Sequence, residues 1–172
     1  MEIRLLDRHD AAAYQALRLQ ALRDSPHAFS ASHDEEAARS LDEVAARIVP
    51  AADGSVRMFG VFESGELAGF VALIHPQRKK LCHGAELAGM YVTPSSRRRG
   101  LGAALLQAVI AHARSIDGVR QLGLSVNATN EAAKALYRSA GFMSWGVQPR
   151  ALQIDGVFHD EEYQLLRLDV PR

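Results

Sequence analysis

The segment Arg97-Arg98-Arg99-Gly100-Leu101-Gly102 contains the residue types that bind a phosphate group. A strand is predicted to end at Val92 and a helix to begin at Gly102, which places the two glycines at a helix N-terminus. Backbone N–H groups there have no partner within the helix, and the helix dipole favours an anion. Glycine allows a phosphate to approach the backbone closely. Arginines at this end of a helix oppose its dipole unless an anion is bound, so the segment predicts a phosphate-binding loop.

The same glycines and arginines could belong to two other kinds of phosphate site or to a simple turn. A Rossmann dinucleotide site needs a third glycine, and Leu105 stands in its place. A P-loop is excluded because no Gly-Lys-Ser/Thr follows. The simplest alternative is a solvated arginine turn whose glycines only shape the chain, since short glycine motifs often occur by chance. The segment by itself leaves that alternative open.

The composition restricts the class of protein. The chain has 172 residues, which fits one domain, and 48% of them are hydrophobic. Lys plus Arg equals Asp plus Glu at 20 each, so a role in coating nucleic acid or an anionic membrane is not expected. Cys82 is the single cysteine and cannot form an internal disulfide. Without a signal-peptide pattern at residues 1–4 or an apolar run of about 20 residues, we predict a cytoplasmic protein.

The elements that must position the loop follow from hydrophobic periodicity and breaker residues. A loop is predicted over 27–39, and the predicted helices cover 10–24, 40–48, 102–114 and 130–139. The predicted strands cover 3–6, 56–62, 67–74, 86–92, 121–126, 142–147 and 157–168. The hairpin 56–74 is antiparallel, whereas the strand-helix-strand unit 86–126 requires a parallel pair. These elements predict a single α/β domain with a mixed sheet.

Two further segments, one before the loop and one after it in the sequence, carry a resemblance to a known family. A later helix reads Asn130-x-x-Ala133-x-x-Leu136-Tyr137 and is followed by Gly141-Phe142. Together with Arg97–Gly102, it resembles the GNAT superfamily of N-acetyltransferases, whose signatures are Arg/Gln-x-x-Gly-x-Gly/Ala and Asn-x-x-Ala-x-x-Leu-Tyr. The phrase Met90-Tyr91-Val92-Thr93-Pro94 is similar to the family's strand before the phosphate loop. The resemblance is strong over about residues 86–142.

The resemblance implies a single N-acetyltransferase domain over residues 1–172, with a cofactor-binding core at about 86–142. It implies a mixed sheet flanked by helices, whose central strands 86–92 and 121–126 splay apart. Acetyl-CoA would be the co-substrate, an amine the acceptor, and a homodimer the assembly. The pantetheine arm would pair with strand backbone, and the pyrophosphate would bind loop amides. The implied cofactor-binding residues are Met90, Tyr91, Val92, Arg97, Arg98, Arg99, Gly100, Leu101, Gly102, Ala103, Asn130, Ala133 and Tyr137.

Two residues are catalytic candidates by the same resemblance. Tyr137 occupies the position at which the family's phenol points at the cofactor sulfur, so it is expected to be the general acid; the alternative is a core aromatic residue. Glu86 resembles the glutamate that several members use as the general base, and the alternatives are a solvated carboxylate or an ion pair. If no bulge intervenes, strand alternation places Glu86, Ala88, Met90 and Val92 on one face.

The acceptor pocket would be built outside the two motifs, from the loop 27–39 and the tail 148–162. Both segments carry carboxylates that could attract a cationic amine or could simply be solvated. No metal site is expected, because His75, Cys82 and His83 lack a zinc-binding spacing. The leading hypothesis is acetylation of a small-molecule amine. Acetylation of a protein lysine or N-terminus and a non-catalytic acyl-CoA-binding regulator are the alternatives.

Overall fold

The computed structural model describes residues 1–169, and within them one mixed sheet has the strand order β1-β2-β3-β4-β5-β7-β6. Its strands are β1 (Glu2–Leu5), β2 (Val56–Glu63), β3 (Glu66–Ile74), β4 (Gly84–Val92), β5 (Gln121–Asn127), β6 (Met143–Ile154) and β7 (Val157–Arg167). The pair β4–β5 is parallel and the other neighbouring pairs are antiparallel. The predicted α/β domain with a mixed sheet is confirmed.

Helices cover both faces of the sheet. They are α1 (Ala11–Asp24), α2 (His33–Ala37), α3 (Leu41–Ile48), α4 (Leu101–Ser115) and α5 (Glu131–Ser139). One core forms where α4 packs on the sheet, around the fully buried Leu105 and Leu106. A second core forms on the opposite face beneath α1 and α3, around Phe70 and Ile48. In the described part of the chain, no helix is long and apolar enough to cross a bilayer.

The prediction of a loop throughout 27–39 was wrong for its second half, where α2 forms. The Ser32 hydroxyl accepts a hydrogen bond from the Glu35 N–H at 3.3 Å, and the Glu35 carboxylate accepts one from the Ser32 N–H at 2.7 Å. This reciprocal pair is a capping box, which satisfies amides that the helix itself leaves free. The pattern Ser32-x-x-Glu35 was present in the sequence, but it precedes too few apolar residues to show helical periodicity.

The strand β6 extends seven residues beyond the predicted end at Val147. Its extension pairs with β7 through a tight turn at Asp155-Gly156, where both residues have positive φ, 48° and 80°. An Asp-Gly pair with positive φ at both positions matches the right-handed twist of a hairpin. The two tail strands therefore form one long hairpin, and β6 is an edge strand.

The two central strands separate soon after they meet. β4 and β5 pair only at Gly84–Gln121, Ala85–Leu122 and Glu86–Gly123. Beyond these pairs, β4 continues to Val92 beside β3 alone, and β5 continues beside β7 alone. The predicted splay is confirmed, and it leaves a gap in the middle of the sheet.

A β-bulge at Gly89 changes which side chains of β4 share a face. Phe70 pairs with Tyr91, but Ala72 pairs with Ala88, so β4 carries one extra residue between these positions. Gly89 takes a φ of +61°, which few side chains tolerate. Because one extra residue reverses the alternation, Met90 packs with the α4 core and Tyr91 with the α1 core.

The expected common face of Glu86, Ala88, Met90 and Val92 is therefore wrong. Ala88 packs on the α1 side, whereas Met90 and Val92 pack on the α4 side. Glu86 lines a cavity on the α1 side, together with Tyr14 of α1. The bulge thus directs the candidate base to one side of the sheet and Met90 to the other.

An ion pair fixes the start of α1 against the sheet. The Arg4 guanidinium donates two hydrogen bonds to the buried Asp10 carboxylate, at 2.7 and 2.8 Å. The same carboxylate accepts the Asp7 N–H at 2.8 Å. Hydrogen bonding to Arg4 holds the pKa of Asp10 below its ordinary value. The pair anchors the helix that forms one wall of the cavity described below.

Candidate functional site

The N-terminus of α4 presents a run of free backbone amides. Gly100 precedes the helix in a left-handed conformation, with φ of +85°. The first recorded hydrogen bond of the helix runs from the Ala104 N–H to the Gly100 carbonyl at 2.9 Å. Within residues 1–169, the N–H groups of residues 99–103 donate no hydrogen bond. Such an arrangement suits an anion such as a pyrophosphate, which the sequence predicted at this loop.

The three arginines before this helix have different surroundings. Arg97 Nε donates to the Val92 carbonyl at 2.9 Å, and so braces the end of β4. The Arg99 guanidinium forms an ion pair with Glu63 at 2.9 Å, which offsets its charge. Arg98 is exposed, has a φ of +58°, and forms no ion pair in the described part of the chain. Of the three, only Arg99 has its charge offset by a carboxylate in that part of the chain, which leaves the charges of Arg97 and Arg98 available to an anion.

A narrow slot occupies the gap between β4 and β5. Its volume is about 50 Å³, and Ala28, Leu87, Ala88, Gly89, Met90, Ser125, Val126, Asn127, Asn130, Ala133 and Tyr137 line it. Since β4 has no β5 partner after Glu86, its backbone on this side is available to an added strand-like group. The slot and the free amides of α4 together fit an extended thioester arm with a pyrophosphate.

Tyr137 of α5 is buried, and its hydroxyl faces the slot. The phenol donates to Met90 Sδ across 3.8 Å, and its ring packs edge-to-face on Phe142 with centroids 5.9 Å apart. The two interpretations of Tyr137 are therefore compatible, because the ring is a core residue while the hydroxyl reaches the slot. Burial raises the pKa of Tyr137 to about 12, which keeps the phenol protonated at neutral pH.

The side chain of Tyr91 points away from the slot. Its hydroxyl donates to the Asp24 carboxylate at 2.6 Å, at the end of α1. Met90 and Val92 are partly buried against the α4 core. The side chain of Tyr91 is therefore turned away from a cofactor in the slot, and pairing of a cofactor with the backbone of residues 90–92 stays a prediction.

Two asparagines line the slot, and the sequence predicted only one of them. Asn130 Oδ1 accepts from the Ala133 N–H at 3.1 Å and so caps α5. Asn127 is 2% exposed, and its Oδ1 accepts from the Thr129 N–H and hydroxyl at 3.0 and 2.7 Å. Asn127 Nδ2 is buried without a partner among residues 1–169. The sequence signal for Asn127 was its position, as a polar residue at the end of the alternating strand predicted over 121–126.

A second, larger cavity of about 1080 Å³ adjoins the slot. The two share Ala28, Leu87, Ala88, Gly89 and Ser125. The aromatic residues of the large cavity are Tyr14, Phe29, Phe70, Trp145 and Tyr163, and its charged or ionisable residues are Arg18, Arg47, His83, Glu86 and Glu161. Glu86 lies at the last β4–β5 pair, where the strands begin to diverge. A group in the slot and a molecule in the large cavity would meet near the bulge.

The segments predicted around the acceptor do line this cavity, with Phe29 and Leu152 for example, but few of their carboxylates do. None of the carboxylates of the loop 27–39 lines it, and Glu36 is buried in a pair with Arg47 at 3.0 Å. Glu161 of the tail does line the cavity. Glu162 pairs instead with Lys134 at 3.3 Å, because its strand position turns it toward α5. Glu36 is therefore not available to a cationic acceptor, and a role for the remaining carboxylates of the loop 27–39 stays a prediction.

His75 and Cys82, which lie close together in the sequence, contact each other in the structure. His75 Nε2 lies 2.9 Å from the Cys82 carbonyl, so the two residues hold the turn after β3. In the part of the chain that the structure describes, no three His, Cys, Asp or Glu side chains are grouped to hold a metal ion.

Comparison with known proteins decides the family. The sequence profile of the Acetyltransferase (GNAT) family matches residues 9–142. The chain belongs to the GNAT family of acetyltransferases. It is 32% identical over 143 residues to the aminoglycoside N(6')-acetyltransferase type 1 of Klebsiella aerogenes, covering 81% of this chain and 88% of that one. It also matches mycothiol acetyltransferases, of which it spans only 27% to 44% of the length.

Solved structures share the fold. The crystal structure of a GNAT-family acetyltransferase from Streptococcus pneumoniae superposes with a TM-score of 0.86 at 27% identity, covering 96% of this chain and 98% of that one. A GNAT phosphinothricin acetyltransferase from Sinorhizobium meliloti, solved with acetyl-CoA, superposes with a TM-score of 0.82 at 18% identity over 96% and 87% of the two chains. GNAT enzymes use acetyl-CoA as their co-substrate.

The two roles of Asn130 can be separated by substitution. Asn130→Asp keeps a capping oxygen for the Ala133 N–H but removes the side-chain donor that faces the slot. We expect it to retain the melting temperature and to weaken coenzyme A binding about tenfold, the effect of one lost hydrogen bond. Asn130→Ala should also lower the stability of α5 by about 1 kcal/mol. Calorimetry and thermal melts measure both; unaltered coenzyme A affinity in Asn130→Asp would make Asn130 a cap alone.

Proposed function

We propose that the protein transfers an acetyl group from acetyl-CoA to the primary amine of a small molecule, by direct attack in a ternary complex. The observation that carries this proposal is the shared wall of the two cavities. The slot holds the Tyr137 hydroxyl, the large cavity holds Glu86, and Gly89 borders both. A thioester in the slot would therefore expose its carbonyl carbon to an amine in the large cavity, without a covalent enzyme intermediate.

On the donor side, bound acetyl-CoA supplies the activated acetyl group. The amides of residues 99–103 would bind its pyrophosphate, and the backbone of residues 90–92 would align its arm in the slot. The bulge at Gly89 interrupts the β3–β4 ladder, so a backbone N–H near Met90 can donate to the carbonyl oxygen. Such a donor stabilises the negative charge that develops on that oxygen during attack.

On the acceptor side, the amine must lose a proton before it can attack. An alkyl ammonium group has a pKa near 10.4, as in lysine, so most of it is protonated at neutral pH. Glu86 lies in the large cavity at the point where the strands diverge. We assign Glu86 as the general base, acting directly or through a water molecule.

Tyr137 acts on the leaving group. A buried phenol with a pKa of about 12 holds its proton throughout the neutral range. Because a thiol has an ordinary pKa of about 8.5, below that of this phenol, hydrogen-bond donation to the thiolate contributes more than complete proton transfer. An intact phenol in the slot also argues against a regulator without catalytic activity.

The large cavity favours a small acceptor over a protein. Aromatic side chains line it from α1, from the loop before α2, and from the β6–β7 hairpin. A volume of about 1080 Å³ fits a metabolite with room for water. A protein lysine or N-terminus remains the second candidate, and it would enter where Trp145 is 68% exposed.

The homodimer and the cytoplasmic location go with this proposal as predictions. The edge strand β6 exposes Met143, Trp145 and Val147 at 72%, 68% and 55%. Exposed apolar residues on an unpaired edge strand support association with a second chain.

Thiol release from acetyl-CoA, measured with a panel of small amines and peptides, tests the proposal and ranks the acceptors. With the best acceptor, we expect Tyr137→Phe to lower kcat about 100-fold, because the ring keeps its packing but the sulfur loses its donor. Coenzyme A affinity and melting temperature should stay close to those of the parent. A kcat that is unchanged at every pH would remove Tyr137 from the chemistry.

Glu86→Gln tests the base. Below the pKa of the acceptor amine, the neutral fraction falls about tenfold per pH unit, and a base is needed to recover it. We therefore expect kcat/KM of the variant to fall below that of the parent most steeply at acidic pH. Parallel pH profiles for the two proteins would show that Glu86 is a cavity residue without a catalytic role.

A further inference from the structure

Arg18 is a half-buried cation without an anionic partner among residues 1–169. It lies one turn after Tyr14 on α1 and lines the large cavity. Its guanidinium carbon is 4.4 Å from the ring centroid of Phe29 and 5.9 Å from that of Phe70. In residues 1–169, its N–H groups donate no hydrogen bond and it forms no ion pair. Since a guanidinium carries several donors and no acceptor, a partly buried one is expected to find an anion.

Arg18 lies close to the point of β4 at which the acetyl group would be transferred. A Cβ placed on Gly89 would lie 3.5 Å from Arg18 Nη1, so the guanidinium reaches the bulge of β4. The bulge is where the slot and the large cavity share a wall. An anion bound to Arg18 would therefore lie next to the thioester carbonyl, not at the distant end of the cavity.

Acceptor groups without partners lie elsewhere in the same cavity. Glu86 and Glu161 line it and form no ion pair within the described chain. Gln164 is fully buried, and its Oε1 has no hydrogen-bond partner among residues 1–169. Arg18 and these carboxylates are more than 4.0 Å apart, since no ion pair joins them. The cavity thus holds a free cation and free anions that do not neutralise each other.

We infer that the acceptor is an α-amino acid, whose carboxylate binds Arg18 while its amine faces Glu86. This inference rests on the proposed acetyltransferase function and narrows its acceptor class. The amine must reach the thioester, and Arg18 lies beside the same point of β4. An anion close to the amine can satisfy both contacts, and a carboxylate on the adjacent carbon is such an anion. The planar guanidinium suits a carboxylate, which it can bind through two parallel hydrogen bonds.

The other acceptor classes fit this cation less well. A polycationic aminoglycoside would place further positive charge against Arg18. A peptide N-terminus has a neutral carbonyl where the amino acid has its carboxylate. Arg47 also lines the cavity, but it is already paired with Glu36 at 3.0 and 3.1 Å. Desolvation lowers the pKa of Arg18, and a bound carboxylate would compensate for that cost.

Matched acceptors test the inference with the intact protein. Each L-amino acid that is acetylated is compared with its carboxamide and with the amine that lacks the carboxyl group, for example L-phenylalanine, L-phenylalaninamide and 2-phenylethylamine. The amine of a carboxamide resembles a peptide α-amino group, with a pKa of about 8, and is more readily deprotonated. A preference for the free acid would therefore come from recognition and not from reactivity.

We expect kcat/KM for the free acid to exceed that for the carboxamide at least tenfold, chiefly through KM. Arg18→Met keeps the packing on Phe29 and should bring this ratio close to one. Arg18→Lys keeps the charge but lacks the planar guanidinium group. Its ratio should therefore lie between those of the parent and of Arg18→Met. Arg23 is exposed on the same helix, so Arg23→Met is the matched control and should keep the parent ratio. Melting temperature and coenzyme A affinity confirm that each variant is folded.

Four results would overturn the inference. Carboxamides or simple amines could be acetylated as efficiently as the free acids, or Arg18→Met could leave the ratio unchanged. Acetylation of aminoglycosides or peptides but of no free amino acid would also reject it, while the proposed acetyltransferase function would stand. Failure to acetylate any amine, with coenzyme A still bound, would reject both.

Discussion

The early separation of β4 from β5 is the constraint on which the site depends. After three paired positions, each central strand has backbone on one side without a strand partner. Buried backbone groups need hydrogen-bond partners, so the gap favours a strand-like ligand. The end of β4 leads directly to the free amides of α4, and α5 presents Ala133 and Tyr137 to the same gap. The slot proposed to hold the cofactor is thus a consequence of sheet topology.

The bulge at Gly89 divides the side chains of β4 between the two faces of the sheet. One inserted residue sends Met90 and Val92 toward α4, while Glu86 and Ala88 stay on the α1 side. The donor and the acceptor can therefore approach the same stretch of β4 from different cavities. The wall opposite the slot comes from α1, which the Arg4–Asp10 pair anchors to the sheet. Recognition of the acceptor consequently depends on residues far from both sequence motifs.

Local sequence patterns predicted most of the fold and the helix N-termini at which the cofactor is proposed to bind. Periodicity identified α4 and α5, and the spacing of two motifs placed Gly100 and Asn130 at helix N-termini. The bulge could not be predicted, because Gly89 in an apolar strand also fits regular pairing. Arg18 and Asn127 were missed because their significance lies in the partners they lack, which only tertiary packing determines. The pairing of Glu36 with Arg47 could not be predicted for the same reason, and it takes this carboxylate out of the alternatives left open for the loop 27–39.

A backbone-amide NMR titration with coenzyme A tests the central claim most directly. If the ligand occupies the gap and its pyrophosphate meets the start of α4, the largest shifts should come from the amides of residues 99–103 and 90–92. The amides of β1, and those of the half of β2 that lies away from this site, should show almost no change in chemical shift. Saturable binding that leaves residues 99–103 unshifted, or no binding at all, would contradict the account.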